Sequence, residues 1–139
     1  MSIDAPIRIV TAVILDDTGR VLVVRKHGSA TFIQPGGKRE AGEEALQTLA
    51  RELREELGVR MDTGSARPLG LFEEDAVNEP GGRVQGEAFL VAVTGTPQVH
   101  AEIAELAWIP LQSPHGVPLA PLSARHILPA AVRALATQR

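Results

Sequence analysis

Residues 37–59 read GKREAGEEALQTLARELREELGV, and this stretch decides how the chain folds. From Glu43 to Leu57 it holds no Gly or Pro, and Gly58 follows as a natural C-cap. The pattern predicts a helix over 43–57. At 100° per residue, Leu46, Leu49, Ala50, Leu53 and Leu57 fall on one apolar stripe suited to packing on a sheet. Glu52, Glu55 and Glu56 fall on another face, at spacings that make them neighbours. Like charges so placed cost about 0.2–0.5 kcal/mol per pair. They also lie at the helix C-terminus, where the macrodipole disfavours anions. A bound cation reverses both penalties, and clustered hard oxygens suit Mg²⁺ or Mn²⁺. The helix taken alone also reads as a solvated acidic face, stitched by Arg51–Glu55 at i, i+4.

Working outward, Pro35-Gly36-Gly37 reads as a tight loop feeding the helix. Ile7–Leu15 and Val21–Lys26 are rich in Val and Ile, with Asp16-Asp17-Thr18-Gly19-Arg20 between them, and read as a hairpin. Phe32-Ile33 is a short extended piece. Strands are expected over Leu69–Glu73, Gln85–Val93 and Glu105–Ile109, with a turn at Asn78-Glu79-Pro80-Gly81-Gly82. A terminal helix is expected from Ser123, with Pro129 either in its first turn or kinking it. The whole is a mixed α/β pattern in one domain.

Gly37, Glu43 and the run Arg51-Glu52-Leu53-Arg54-Glu55-Glu56-Leu57-Gly58-Val59 match every specified position of the Nudix box. The chain therefore resembles the Nudix hydrolases, in particular small MutT-type members, and the looser likeness covers most of its length. The resemblance implies a single domain over residues 1–139, with the box at 37–59. Its fold would be an α/β/α sandwich with a mixed β-sheet flanked by helices. It implies metal-dependent hydrolysis of a nucleoside diphosphate linked to another group, with Mg²⁺ as cofactor and Mn²⁺ as an alternative. Glu52, Glu55 and Glu56 would hold the metal, with the Gly37 carbonyl as a further ligand. Glu43 and Arg51 would support the loop and helix through a salt bridge. The general base would be Glu102, Glu105 or a glutamate of the box, Glu102 matching best ahead of Trp108.

Other side chains are open to two readings. Arg25 and Lys26 end the second strand and are candidates for substrate phosphate or base, or else an exposed strand end. Lys38 and Arg39 sit beside the glycine loop and are candidates for phosphate, or else solvated charges. Phe32, Phe72, Phe89 and Trp108 are the only rings able to stack on a base, and Phe32 is the candidate contact. Trp108 reads chiefly as core. His27, His100, His115 and His126 show no paired metal spacing and read as surface or loop residues. With so few aromatics, base recognition is expected to lean on apolar walls, arginine and backbone hydrogen bonds.

Composition narrows the classes. At 139 residues the chain can build its own core. With no cysteine it has no disulfide, no thiolate metal site and no cysteine nucleophile. A net charge of −3 argues against a broad nucleic-acid surface, and no apolar run is long enough to span a membrane. No secretory signal is evident, which points to a cytoplasmic protein. The expected partner is a small-molecule nucleotide, bound by a monomer or homodimer. Within the family, the short chain suggests a (deoxy)nucleoside triphosphate as substrate. ADP-ribose or another nucleotide sugar is the alternative. Relatives of that kind often carry an N-terminal extension and a proline set after the box, where Asp75–Asn78 has none. Two further readings are a catalytically inactive nucleotide-binding module and an RNA 5′-end processor.

Overall fold

The computed structural model describes residues 5–77 and 81–137. Among these residues, seven strands form two sheets. The first sheet is mixed, in the order β4-β1-β6-β5. It contains β1 (Ile7–Val13), β4 (Gly36–Lys38), β5 (Arg60–Asp75) and β6 (Arg83–Thr94). Strands β1 and β6 run parallel, with Thr11 opposite Ala88. The second sheet is antiparallel, in the order β3-β2-β7. It contains β2 (Val21–Lys26), β3 (Phe32–Ile33) and β7 (Ile103–Ile109).

The expected hairpin is only half formed. Leu15 bridges Val21 and the Leu22 amide donates to the Ile14 carbonyl at 2.9 Å. Beyond that point β1 and β2 part into different sheets. Asp16 explains the tight turn: its Oδ1 accepts from the Thr18 amide, the Thr18 hydroxyl and the Arg20 amide.

Helix α1 spans Ala45–Leu57, two residues shorter at its start than the sequence pattern predicts. The Glu44 amide donates to Gln47 Oε1 at 2.8 Å and marks the true entry. Gly58 ends the helix at φ 68°, and its amide reaches the Arg54 carbonyl at 3.0 Å. The chain then enters β5 at Arg60, nine residues before the expected Leu69. A bulge between Asp62 and Arg67 hides this part of the strand. There Ser65 Oγ accepts the Ala92 amide at 2.8 Å, standing in for a ladder carbonyl. Of the expected 78–82 turn, Asn78, Glu79 and Pro80 lie outside the described residues. The C-terminal helix begins as a π-helical turn, Leu122–Ile127, and continues as α2, Leu128–Ala136. Pro129 sits in the first turn of α2, at the point where the π-helical turn passes into it.

Strands β1 and β2 are buried on both faces, which is why they read as continuous apolar runs. Val10, Ala12, Leu22 and Val24 face α1, meeting Leu49, Leu53 and Leu57. Val13, Val21 and Val23 face the other way, meeting Ile127, Leu128 and Ala131. The helices thus lie on opposite sides of the strands, an α/β/α sandwich. Leu53 is fully buried. Leu53→Ala is expected to lower unfolding free energy by about 2–5 kcal/mol, read as an earlier urea midpoint at unchanged m-value.

Candidate active site

The second half of α1 lies against β4, and glycine makes the contact possible. The residues expected to form a loop, Gly36 and Gly37, instead form an edge strand on β1, with Gly37 opposite Val10. Gly36 has φ 146°, and a Cβ there would be driven into the Val10 carbonyl. A Cβ on Gly37 would stand 2.5 and 2.7 Å from the two carboxylate oxygens of Glu52. No other residue type leaves room for the backbone so near that carboxylate.

Arg51 ties this region together. Its Nε donates to Glu43 Oε2 at 2.7 Å, its Nη1 to Glu52 at 2.9 Å and Glu55 at 3.1 Å, and its Nη2 to the Lys38 carbonyl at 3.2 Å. The Arg51 guanidinium, helped by the Glu40 amide and the Thr48 hydroxyl, holds the Glu43 carboxyl down to about 2. A folded value below the ordinary one stabilises the fold above about pH 4.5, and that stability is lost as pH falls toward 2. Thermal stability is expected to drop across that window, and Glu43→Gln is expected to flatten the drop. A melting series from pH 2 to 6 checks both.

Glu52 and Glu56 differ from Glu43 in kind. Burial raises the Glu52 carboxyl above its usual range, against the pull of Arg51. Glu56 is only 4% exposed, and burial, with the Glu52 charge next, pushes its carboxyl up to about 7. Its Oε1 is buried without a hydrogen-bond partner. Glu55 is about half exposed and held by Arg51.

Residues 98–102 bring a further carboxylate to this place. The Gln98 amide donates to the Leu57 carbonyl and the His100 amide to the Glu56 carbonyl, each at 3.0 Å. These bonds satisfy free carbonyls at the end of α1. Ala101 follows at φ 53°, a conformation rare for a residue with a Cβ. Glu102 then enters a cavity that Glu52 and Glu56 also line. Glu105, the competing base candidate, is directed elsewhere: it pairs with Arg25 at 3.1 Å and is half exposed.

The cavity, of about 360 Å³, is lined from both sheets. Its lining includes the carboxylates Glu52, Glu56, Glu102 and Asp75, the cations Lys26 and Lys38, the backbone of Gly37, and aliphatic side chains such as Ile7, Ile9, Ile33, Val84, Leu122 and Ile127. Of the five expected substrate contacts, Lys26 and Lys38 are thus brought to the cavity. The other three are not. Arg25 is held by Glu105 and the Ser29 carbonyl. Arg39 donates to the Glu43 carbonyl at 2.8 Å. Phe32 is buried in the core with Val13 and Val23, because its neighbour Ile33 takes the cavity side of the strand. Among the described residues, none that lines the cavity is aromatic or an arginine, and the cations there are lysines. Trp108 packs against the α1 core. His126 is not a loop residue: it lies on the π-helical turn, stacks on Phe72 at 5.7 Å and bonds Glu74 at 3.2 Å.

Thr11 and Gln34 are among the polar lining residues that the sequence pattern did not single out. Each is a single polar residue inside an otherwise apolar stretch, and that interruption is the signal that could have found them.

Among the described residues, no three acidic or histidine side chains converge as a ready metal cage. Arg51 engages Glu52 and Glu55, so a cation and Arg51 compete for the same oxygens. The donor set nevertheless fits a hard divalent ion. It consists of carboxylate oxygens, one of them buried and unpartnered on Glu56, beside a backbone with no side chain at Gly37.

A family model described as the NUDIX domain matches residues 5–131. An uncharacterized Nudix hydrolase, YvcI of Bacillus subtilis (strain 168), is 26% identical over 117 residues, covering 81% of this chain and 72% of that protein. The solution structure of the E. coli ORF135 protein superposes with TM-score 0.76 at 29% identity, covering 94% of this chain and 91% of that one. The crystal structure of a MutT NUDIX hydrolase from Burkholderia pseudomallei gives TM-score 0.73 at 26% identity, covering 86% and 94%.

Proposed function

The chain belongs to the Nudix hydrolase family and is a pyrophosphohydrolase, and from that premise we propose that it converts a (deoxy)nucleoside triphosphate into a monophosphate and pyrophosphate, with Mg²⁺ as its metal. The observation that carries this reading is one cavity holding an acidic part, two lysines and an aliphatic part. A nucleotide has the matching division into charged phosphates and an apolar base face.

Glu52, Glu55 and Glu56 would hold the metal, with the Gly37 carbonyl beside them. When bound, the metal neutralises phosphate charge and makes phosphorus more open to attack. Lys26 and Lys38 offset the remaining phosphate charge. Glu102, brought close to Glu52 and Glu56 by the 98–102 segment, takes a proton from the attacking water. Arg51 and Glu43 act through the others, keeping the α1 carboxylates against β4. Aliphatic walls exclude water from the base.

A screen with Mg²⁺ or Mn²⁺ tests the reading. Its substrates are nucleoside triphosphates, ADP-ribose, nucleotide sugars, dinucleoside polyphosphates and triphosphate-ended RNA. Release of pyrophosphate and a monophosphate from triphosphates is the expected result. Faster turnover of ADP-ribose or a nucleotide sugar would replace it with the nucleotide-sugar reading. No turnover of any of them would leave a nucleotide-binding module. Glu102→Gln is expected to cut turnover by about 100-fold or more, against less than about twofold for Glu105→Gln, whose side chain faces Arg25.

A further inference from the structure

Three buried side-chain oxygens or hydroxyls have no hydrogen-bond partner among the described residues: Thr11 Oγ1, Gln34 Oε1 and Glu56 Oε1. All three belong to residues lining the same cavity. The donor set above accounts for Glu56. Thr11 and Gln34 have no such account, although they are only 2% and 3% exposed. A buried polar atom left unpaired is costly, so a site that keeps two of them points to a ligand that pairs them.

The polarity of the site follows from its bonds. Gln34 Nε2 donates to the Ala12 carbonyl at 3.2 Å. A carbonyl can only accept, so the amide orientation is fixed and Oε1 is the free atom. Oε1 is an acceptor and demands a donor. The Thr11 hydroxyl can accept or donate.

The position of the site is equally informative. Ile7, Ile9, Thr11 and Val13 share one face of β1. Ile7 and Ile9 are partly exposed, Thr11 is 2% exposed and Val13 is fully buried. Thr11 therefore lies at the closed end of the row. A base held with its sugar beside the partly exposed Ile7 and Ile9 would present to Thr11 and Gln34 the edge farthest from that sugar. That edge carries the C4 substituent of a pyrimidine or the C6 substituent of a purine.

We propose that Gln34 Oε1, assisted by the Thr11 hydroxyl, selects nucleotides whose base carries an amino group at this far edge over those with a keto group there. The inference rests on the nucleotide reading above. An amino group gives its N–H to Oε1. The ring nitrogen beside it accepts from Thr11. A keto oxygen would set two acceptors face to face, leaving both unpaired. Adenine and cytosine thus fit, and guanine, hypoxanthine, uracil and thymine do not.

The test uses base pairs of substrates that differ in this one group, dCTP against dUTP and dATP against dITP. The expected amino-to-keto ratio in kcat/KM is about tenfold or more in both pairs. It should fall toward 1 in Gln34→Met, and partly in Thr11→Val, with melting curves confirming that each variant folds. A ratio near 1 in the wild-type protein overturns the proposal without any variant, as does a ratio unchanged by Gln34→Met. Calorimetric binding of CMP against UMP and AMP against IMP separates the two levels of inference. Selective binding without triphosphate hydrolysis keeps this proposal and removes the hydrolytic one. Hydrolysis without selectivity removes this proposal alone. Absence of both overturns both.

Discussion

Glu56→Gln is expected to lower kcat by about 100-fold or more while leaving the metal-free protein no less stable. Glu56 is 4% exposed, and its Oε1 lacks a partner. Burial first, and then the Glu52 charge, raise its carboxyl to about 7. For an acid, a folded value above the ordinary one means that stability is lost as pH rises from about 4.5 toward 7. A neutral amide of the same size escapes that loss. A pure folding residue would show the opposite pattern, with lower stability and proportionate loss of activity. Initial rates at saturating substrate and Mg²⁺, beside melting curves at pH 8, separate the cases. Turnover within about threefold of wild type would remove Glu56 from the proposed site.

Gly37→Ala is expected to be nearly as damaging without touching any reacting group. The added methyl would occupy the space of the Glu52 carboxylate, 2.5 and 2.7 Å from its oxygens. Either Glu52 turns away or β4 moves off β1. A displacement of about 1 Å at such a site can cost about 100-fold in rate. Thermal stability should change far less than activity, since β4 is a three-residue edge strand. Unchanged kcat/KM in a folded Gly37→Ala protein would show that the closeness of Gly37 to Glu52 serves no catalytic purpose.

Much of this arrangement was legible in the residues, and the illegible part has a physical explanation. Helix α1 announces itself through the spacing of Leu49, Leu53 and Leu57 and the cap at Gly58. The same spacing puts Glu52, Glu55 and Glu56 on one side of the helix, because a helix has one period, and of these Glu52 and Glu56 line the cavity. Strands carry a weaker signal. Their two-residue alternation says that neighbours face opposite ways, but a strand buried on both faces does not say which way is which. Phe32 and Ile33 illustrate this, as do Arg25 and Lys26: in each pair the second faces the cavity and the first does not. Turn residues have a related ambiguity. Asp16–Arg20 makes a good turn whether its strands stay paired or part. The bulge at Asp62–Arg67 is likewise silent, since Ser65 replaces a backbone partner with a side chain. Thr11 and Gln34 acquire meaning only once the far walls of the cavity exist.

The parting of β1 from β2 has an evolutionary consequence. The cleft exists because two hydrogen-bonded ladders diverge after Leu15 and Val21, and its width is therefore a property of the main chain. Side chains such as Ile7, Ile9 and Val84 upholster that gap without propping it open. Exchanging them should reshape substrate preference at little cost to folding, since the ladders stay intact. The acidic end is tied differently, through Gly37, Arg51 and the 98–102 turn, and tolerates little change. One scaffold can thus retain a fixed reaction while its choice of nucleotide drifts.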